Sequence, residues 1–117
     1  MKRAFLAWVL AVLPPAAFAH AFLERAEPRV GSTVAHAPDH VTLRFSETLE
    51  PAFSTVEVRD AAGGRVDRND RTLDPGDATV MRVSIPPLSP GKYRVKWRAL
   101  SADAHVTQGD FTFEVGR

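Results

Sequence analysis

Lys92-Tyr93-Arg94-Val95-Lys96-Trp97-Arg98-Ala99 decides the fold of this chain. Every odd position is apolar and every even one is Lys or Arg. A period of two with one charged face describes a half-buried antiparallel strand and leaves no room for a helix. The same alternation recurs on both sides. Val41, Leu43 and Phe45 alternate with Thr42, Arg44 and Ser46; Val56 and Val58 with Glu57 and Arg59; Met81, Val83 and Ile85 with Arg82 and Ser84; Phe111, Phe113 and Val115 with Thr112 and Glu114. Gly63-Gly64, Asp74-Pro75-Gly76 and Ser89-Pro90-Gly91 supply turns between these runs. No helical period, repeat or low-complexity tract follows residue 20. The expected fold class is all-β, about seven short strands in an antiparallel Greek-key sandwich or flattened barrel. Leu88 through Tyr93 fits a tyrosine corner, in which the hydroxyl bonds back to nearby backbone. An ordinary interior Tyr is the plainer alternative.

The chain opens differently. Lys2 and Arg3 precede an apolar run from Ala4 to Leu13, ten residues long and too short to span a bilayer. Pro14-Pro15 and small residues follow. This is the layout of a secretory signal peptide over residues 1–19, and Ala17-Phe18-Ala19 suits cleavage after Ala19. Ala19-His20-Ala21 also suits cleavage, one that would discard His20. An N-terminal core helix is disfavoured by the charged start and the Pro-Pro break. Removing 19 of 117 residues leaves 98, residues 20–117, one domain with a single core. Lys2 and Arg3 leave with the leader. Lys+Arg thus falls from 15 to 13 against 14 Asp+Glu, a net charge of −1. Nothing favours nucleic acid. With no Cys in the chain, disulfides, zinc knuckles, blue-copper thiolates and Cys nucleophiles are excluded.

Cleavage after Ala19 would leave His20 first, offering an α-amine and an imidazole that can chelate a metal together. Near the other end, Ser101-Ala102-Asp103-Ala104-His105 places a carboxylate and an imidazole two residues apart, in a loop after the strongest strand and before Gln108-Gly109-Asp110, where the next strand is expected to begin. Amine, two imidazoles and a carboxylate form a nitrogen–oxygen set that suits Cu(II).

These residues carry a resemblance to the CopC family of periplasmic copper-resistance proteins. The matching stretches are His20-Ala21-Phe22-Leu23 with Glu27-Pro28 and Gly31-Ser32-Thr33-Val34; Ala37-Pro38 leading to Leu43-Arg44-Phe45-Ser46-Glu47; Leu88 through His105; and Gly109 through Val115. The resemblance implies a seven-stranded cupredoxin-like (immunoglobulin-like) barrel with one Cu(II) per chain in a histidine brace. His20 contributes its amine and imidazole, His105 the second imidazole and Asp103 a carboxylate. Glu47 would stand behind the ligands, holding a water or orienting one of them, unless it is simply a solvated surface residue. A monomeric periplasmic carrier or buffer is implied, with a CopD-like inner-membrane protein as partner. Some members carry a Met-rich loop for Cu(I). Here Arg59 to Asp77 contains neither Met nor His, and Met81 falls on an apolar strand face, so a Cu(II)-only member is expected.

The competing readings are a copper-dependent oxidative enzyme and a metal-free sandwich that only docks other proteins. The enzyme needs an aromatic substrate platform, yet Trp97 and Tyr93, the Trp and Tyr of residues 20–117, are expected in the core and at a turn. His36 and His40, around Pro38-Asp39, read as solvated loop residues. Lys92, Arg94, Lys96 and Arg98 read as the wet face of a strand, or more sharply as a docking surface for an acidic partner.

Overall fold

The computed structural model describes residues 20–117, so the signal peptide expected over 1–19 lies outside the described residues. Eight strands form two four-stranded sheets. They are β1 (Leu23–Glu27), β2 (Thr33–Val34), β3 (His40–Phe45), β4 (Thr55–Asp60), β5 (Thr72–Asp74), β6 (Asp77–Ser84), β7 (Gly91–Leu100) and β8 (Val106–Val115), with one 3₁₀ turn at Pro51–Phe53. One sheet runs β1-β3-β6-β5 and the other β2-β8-β7-β4. The class is the expected Greek-key sandwich. The count is eight rather than seven, because β2 and β5 are pieces of two and three residues. The pairing is not wholly antiparallel either: β2 lies parallel to β8. Gly31, at φ +71°, turns the chain there, and its amide donates to Thr112 O at 2.7 Å.

The alternating runs become β3, β4, β6, β7 and β8 because each can bury one face only by packing against the other sheet. Leu43, Phe45, Val58, Met81, Val95 and Phe113 meet in that interface and are essentially inaccessible to solvent. Met81 is therefore core, as expected. Phe45 and Trp97 meet edge to face with centroids 5.1 Å apart. Opposite Trp97 in the ladder stands Gly109. A Cβ there would lie 2.8 Å from Trp97 Cζ2, so glycine is what lets the indole lie across β8. The tyrosine corner forms: Tyr93 Oη donates to Ser89 O at 2.5 Å, and its ring stacks on Phe113.

The outer face of β7 is less basic than its sequence. Lys92 pairs with Glu114, and Lys96 lies between Glu57 and Asp110. Arg94 is bonded to Asp110, and Arg59 to Glu57. The Lys/Arg row is thus one stripe of a mixed-charge wet face. A cleft of about 480 Å³ lies on it, lined in part by Arg65, Arg71, Lys96, Trp97, Arg98 and Gln108.

The loop from β4 to β5 is held by one buried carboxylate. Asp67, its side chain 0% exposed, accepts from Val58 N at 2.7 Å, Asn69 N at 2.9 Å and Arg65 Nε. This lays residues 65–67 along the outer edge of β4, where Val66 N donates to Val58 O, and covers an edge otherwise open to another strand. Burial alone would raise the Asp67 carboxyl. The Arg65 guanidinium and the two backbone amides outweigh it and hold the group below the usual carboxylate range. A pKa depressed by folding contributes stability above the unfolded value of about 4, and that contribution is lost as pH falls through the lower folded value. We expect denaturant unfolding to show nearly constant stability from pH 7 to about 5 and a decline below about 4. Asp67→Ala should cost about 1–3 kcal/mol at pH 7, since it strands two amides, and should flatten the acid decline. An unchanged acid decline in the variant would place the sensitivity elsewhere.

Candidate metal centre

His20 and His105, at opposite ends of the described chain, lie side by side. Their ring centroids are 4.8 Å apart and the planes cross at 72°. The His105 hairpin explains half of this. β7 and β8 pair without slippage up to Leu100 and Val106, so the strand after the loop begins at Val106, two residues earlier than the sequence suggested. The loop is correspondingly tight. Ser101 N donates to His105 O at 3.0 Å and Ala104 N to Ser101 O at 2.9 Å, with Ala104 in the left-handed region at φ +70°.

Within that turn the three side chains form a chain. Ser101 Oγ donates to Asp103 Oδ1, and His105 Nδ1 lies 3.0 Å from Asp103 Oδ2. The Ser101 hydroxyl, and after it the His105 imidazole, hold the Asp103 carboxyl below its usual range. Asp103 is therefore a carboxylate throughout the neutral and weakly acidic range. Its contact with Nδ1 leaves Nε2 as the nitrogen His105 can turn toward a metal.

His20 owes its place to residues that sequence reasoning passed over. Ser46 Oγ donates to His20 O at 3.0 Å and accepts from Phe22 N at 2.9 Å; Ser46 N donates to Phe22 O at 2.8 Å. Thr107 Oγ1 donates to Ala21 O at 2.7 Å. Beyond Ser46, Ala102 N donates to Thr48 O, Glu50 N to Leu100 O, and buried Ser54 bonds to Leu100. The 46–54 connection thus ties the His20 segment to the His105 hairpin. Glu47, half-buried, follows Ser46 on this connection. The signal for Ser46 lies in Phe45-Ser46-Glu47, where the neighbouring carboxylate is the more conspicuous group.

The structure sets His20 against His105 and His105 against Asp103, yet among the described residues no group of three His, Cys, Asp or Glu stands ready to hold a metal ion. In the full chain Ala19 precedes His20, so the His20 backbone nitrogen is an amide. That removes a donor the sequence reading requires, and Asp103 is engaged with Ser101 and His105. The donor chemistry fits Cu(II): borderline and hard atoms only, with Met81 sealed in the core. Around the pair, Phe22 is 60% exposed with its ring 5.9 Å from His20, and Val106 is 47% exposed. His36 and His40 are both exposed and lie on the approach to β3 and at its first residue, with the Asp70 carboxylate facing His40. No helix among the described residues is long and apolar enough to cross a membrane.

A family model described as the CopC domain matches residues 23–116. The chain is 32% identical over 109 residues to the copper transport protein CutJ of Bacillus subtilis; the match covers 92% of this chain and 20% of that protein's length. Among solved structures, CopC from Methylosinus trichosporium OB3b superposes with a TM-score of 0.77 at 34% identity, over 83% of this chain and 94% of that one. PcoC from Escherichia coli, described as a methionine-rich copper resistance protein, superposes with a TM-score of 0.72 at 33% identity, over 83% and 99%.

Proposed function

The chain belongs to the CopC family, and from that membership we propose that it is a periplasmic Cu(II) carrier or buffer, released by cleavage after Ala19 as residues 20–117. One Cu(II) is bound as cargo by the freed amine and imidazole of His20, the imidazole of His105 and the carboxylate of Asp103. The adjacency of the two rings, 4.8 Å between centroids, carries this reading. Cleavage supplies the missing donor, the amine. When Cu(II) recruits Asp103, it exchanges the contact with His105 Nδ1 for a metal–oxygen bond. Glu47 stands beside the anchoring Ser46 and orients a ligand or a water. Met81, the thioether of residues 20–117, is sealed in the core and cannot reach the site, in contrast to a relative described as methionine-rich. A carrier is favoured over an oxidative enzyme because Tyr93 is tied into its corner, and Trp97, edge to face with Phe45, borders a cleft whose lining includes neither His20 nor His105. A carboxylate ligand also stabilises Cu(II) against reduction. A CopD-like membrane protein is the partner such a carrier would serve, and the carrier itself is monomeric.

Trp97, on the strand leading to Asp103, reports binding. Paramagnetic Cu(II) should quench its fluorescence with an endpoint of one ion per chain. Zn(II) should bind the same site more weakly and Cu(I) poorly. Protons compete with the metal for imidazole and amine nitrogens, which ordinarily titrate near about 6.5 and about 8, so affinity should fall as pH drops below about 6. Equal affinity for Cu(I) and Cu(II), or binding flat from pH 8 to 5, would contradict the ligand set.

A further inference from the structure

We propose that Ser46 and Thr107 are positioning residues that hold His20 over His105 before any metal arrives. The inference rests on the metal-site reading above and adds to it two residues that touch no metal. Regular pairing of β1 begins only at Leu23, opposite Phe45. Residues 20–22 lie beyond that ladder, where a chain terminus is ordinarily mobile unless tied down. Here the carbonyls of His20 and Ala21 are each met by a hydroxyl, one from the residue that follows β3 and one from β8 of the other sheet.

Ser46, one residue beyond β3, spends its proton on His20 O and its lone pair on Phe22 N. A hydroxyl does both from a single atom. Thr107 belongs to β8 of the other sheet and donates to Ala21 O, whose residue is 0% exposed. Thr107 stands two residues beyond His105, on the strand that leaves its turn, so one short piece of backbone carries both the second imidazole and the hydroxyl that fixes Ala21. Fixing the His20 carbonyl fixes rotation about its Cα–C bond, and the amine and imidazole inherit that orientation. Without the clamp, a terminal chelate must be ordered at the moment of binding, and affinity falls by the entropy of that ordering.

The test uses the processed protein, residues 20–117, with Cu(II) and a competing chelator. Ser46→Ala and Thr107→Val should each weaken Cu(II) binding by about 10–100-fold, the range found for residues that orient ligands. The Cu(II) EPR spectrum should change, because the geometry of the bound nitrogens loosens. Thr107→Ser keeps the hydroxyl and should restore affinity to within about threefold of the native value. A purely structural role would lower the melting temperature and leave the spectrum and the affinity of the folded fraction as they were. Native-like affinity and spectrum in Ser46→Ala and Thr107→Val, alongside lost binding in His105→Ala, would overturn the clamp while leaving the site intact. Native-like binding in His105→Ala as well would instead overturn the site. If Ser46→Ala does not fold, the comparison of Thr107→Val with Thr107→Ser decides.

Discussion

A single residue left in front of His20 should lower Cu(II) affinity by on the order of a thousand-fold, about 4 kcal/mol. The physical reason is the nitrogen itself. An α-amine offers a lone pair, whereas the lone pair of an amide is delocalised into its carbonyl. Acylation therefore deletes one donor and the chelate ring it closes with the His20 imidazole. Competition titrations on residues 20–117, with and without one preceding Ala, check this. The two proteins should unfold alike, because strand pairing starts at Leu23 and the segment is held through its carbonyls. Equal affinity for the two would remove the amine from the ligand set.

His105→Ala should produce an effect of similar size, on the order of a hundred- to a thousand-fold, about 3–4 kcal/mol of binding. It removes an imidazole donor and also frees Asp103 from the contact that orders it. Its cost to the metal-free protein should be small. The side chain is 46% exposed, and the turn is closed by Ser101 bonds to the His105 backbone, which Ala retains. His36→Ala and His40→Ala should leave the Trp97 titration unchanged. A large loss of metal-free stability in His105→Ala, with copper binding preserved, would assign Asp103 and His105 to holding the hairpin alone.

The parts of this fold legible in the sequence are those in which one strand face is buried and the other wet. β7 states its own structure because Lys or Arg occupies every outward position from Lys92 to Arg98. β1 does not. The register slips between Leu23 and Arg25, so its side chains break the period of two. β2 pairs through two residues only, too few for any period to show. The early start of β8 was hidden because Val106, its first apolar residue, faces solvent.

The site divides in the same way. His20, Asp103 and His105 stand out as candidates because their donor chemistry is unusual in a Cys-free β-domain and because the family resemblance marks them. Ser46 and Thr107 do not, since a hydroxyl in or beside a strand is ordinary in any sandwich. Only the tertiary fold shows which carbonyls these two meet. The basic row shows the opposite limit. Four cations along one strand suggest a docking surface until the register sets Glu57, Asp110 and Glu114 beside them.

The central claim is that processing completes a copper site from the two ends of the chain. A crystal structure of residues 20–117 with one equivalent of Cu(II) tests it most directly. The account predicts one ion bound by the His20 amine and imidazole, by His105 and by Asp103, with Ser46 and Thr107 still on the carbonyls of His20 and Ala21. Copper bound at His36 or His40 instead, with the His20 amine turned away from His105, would contradict it.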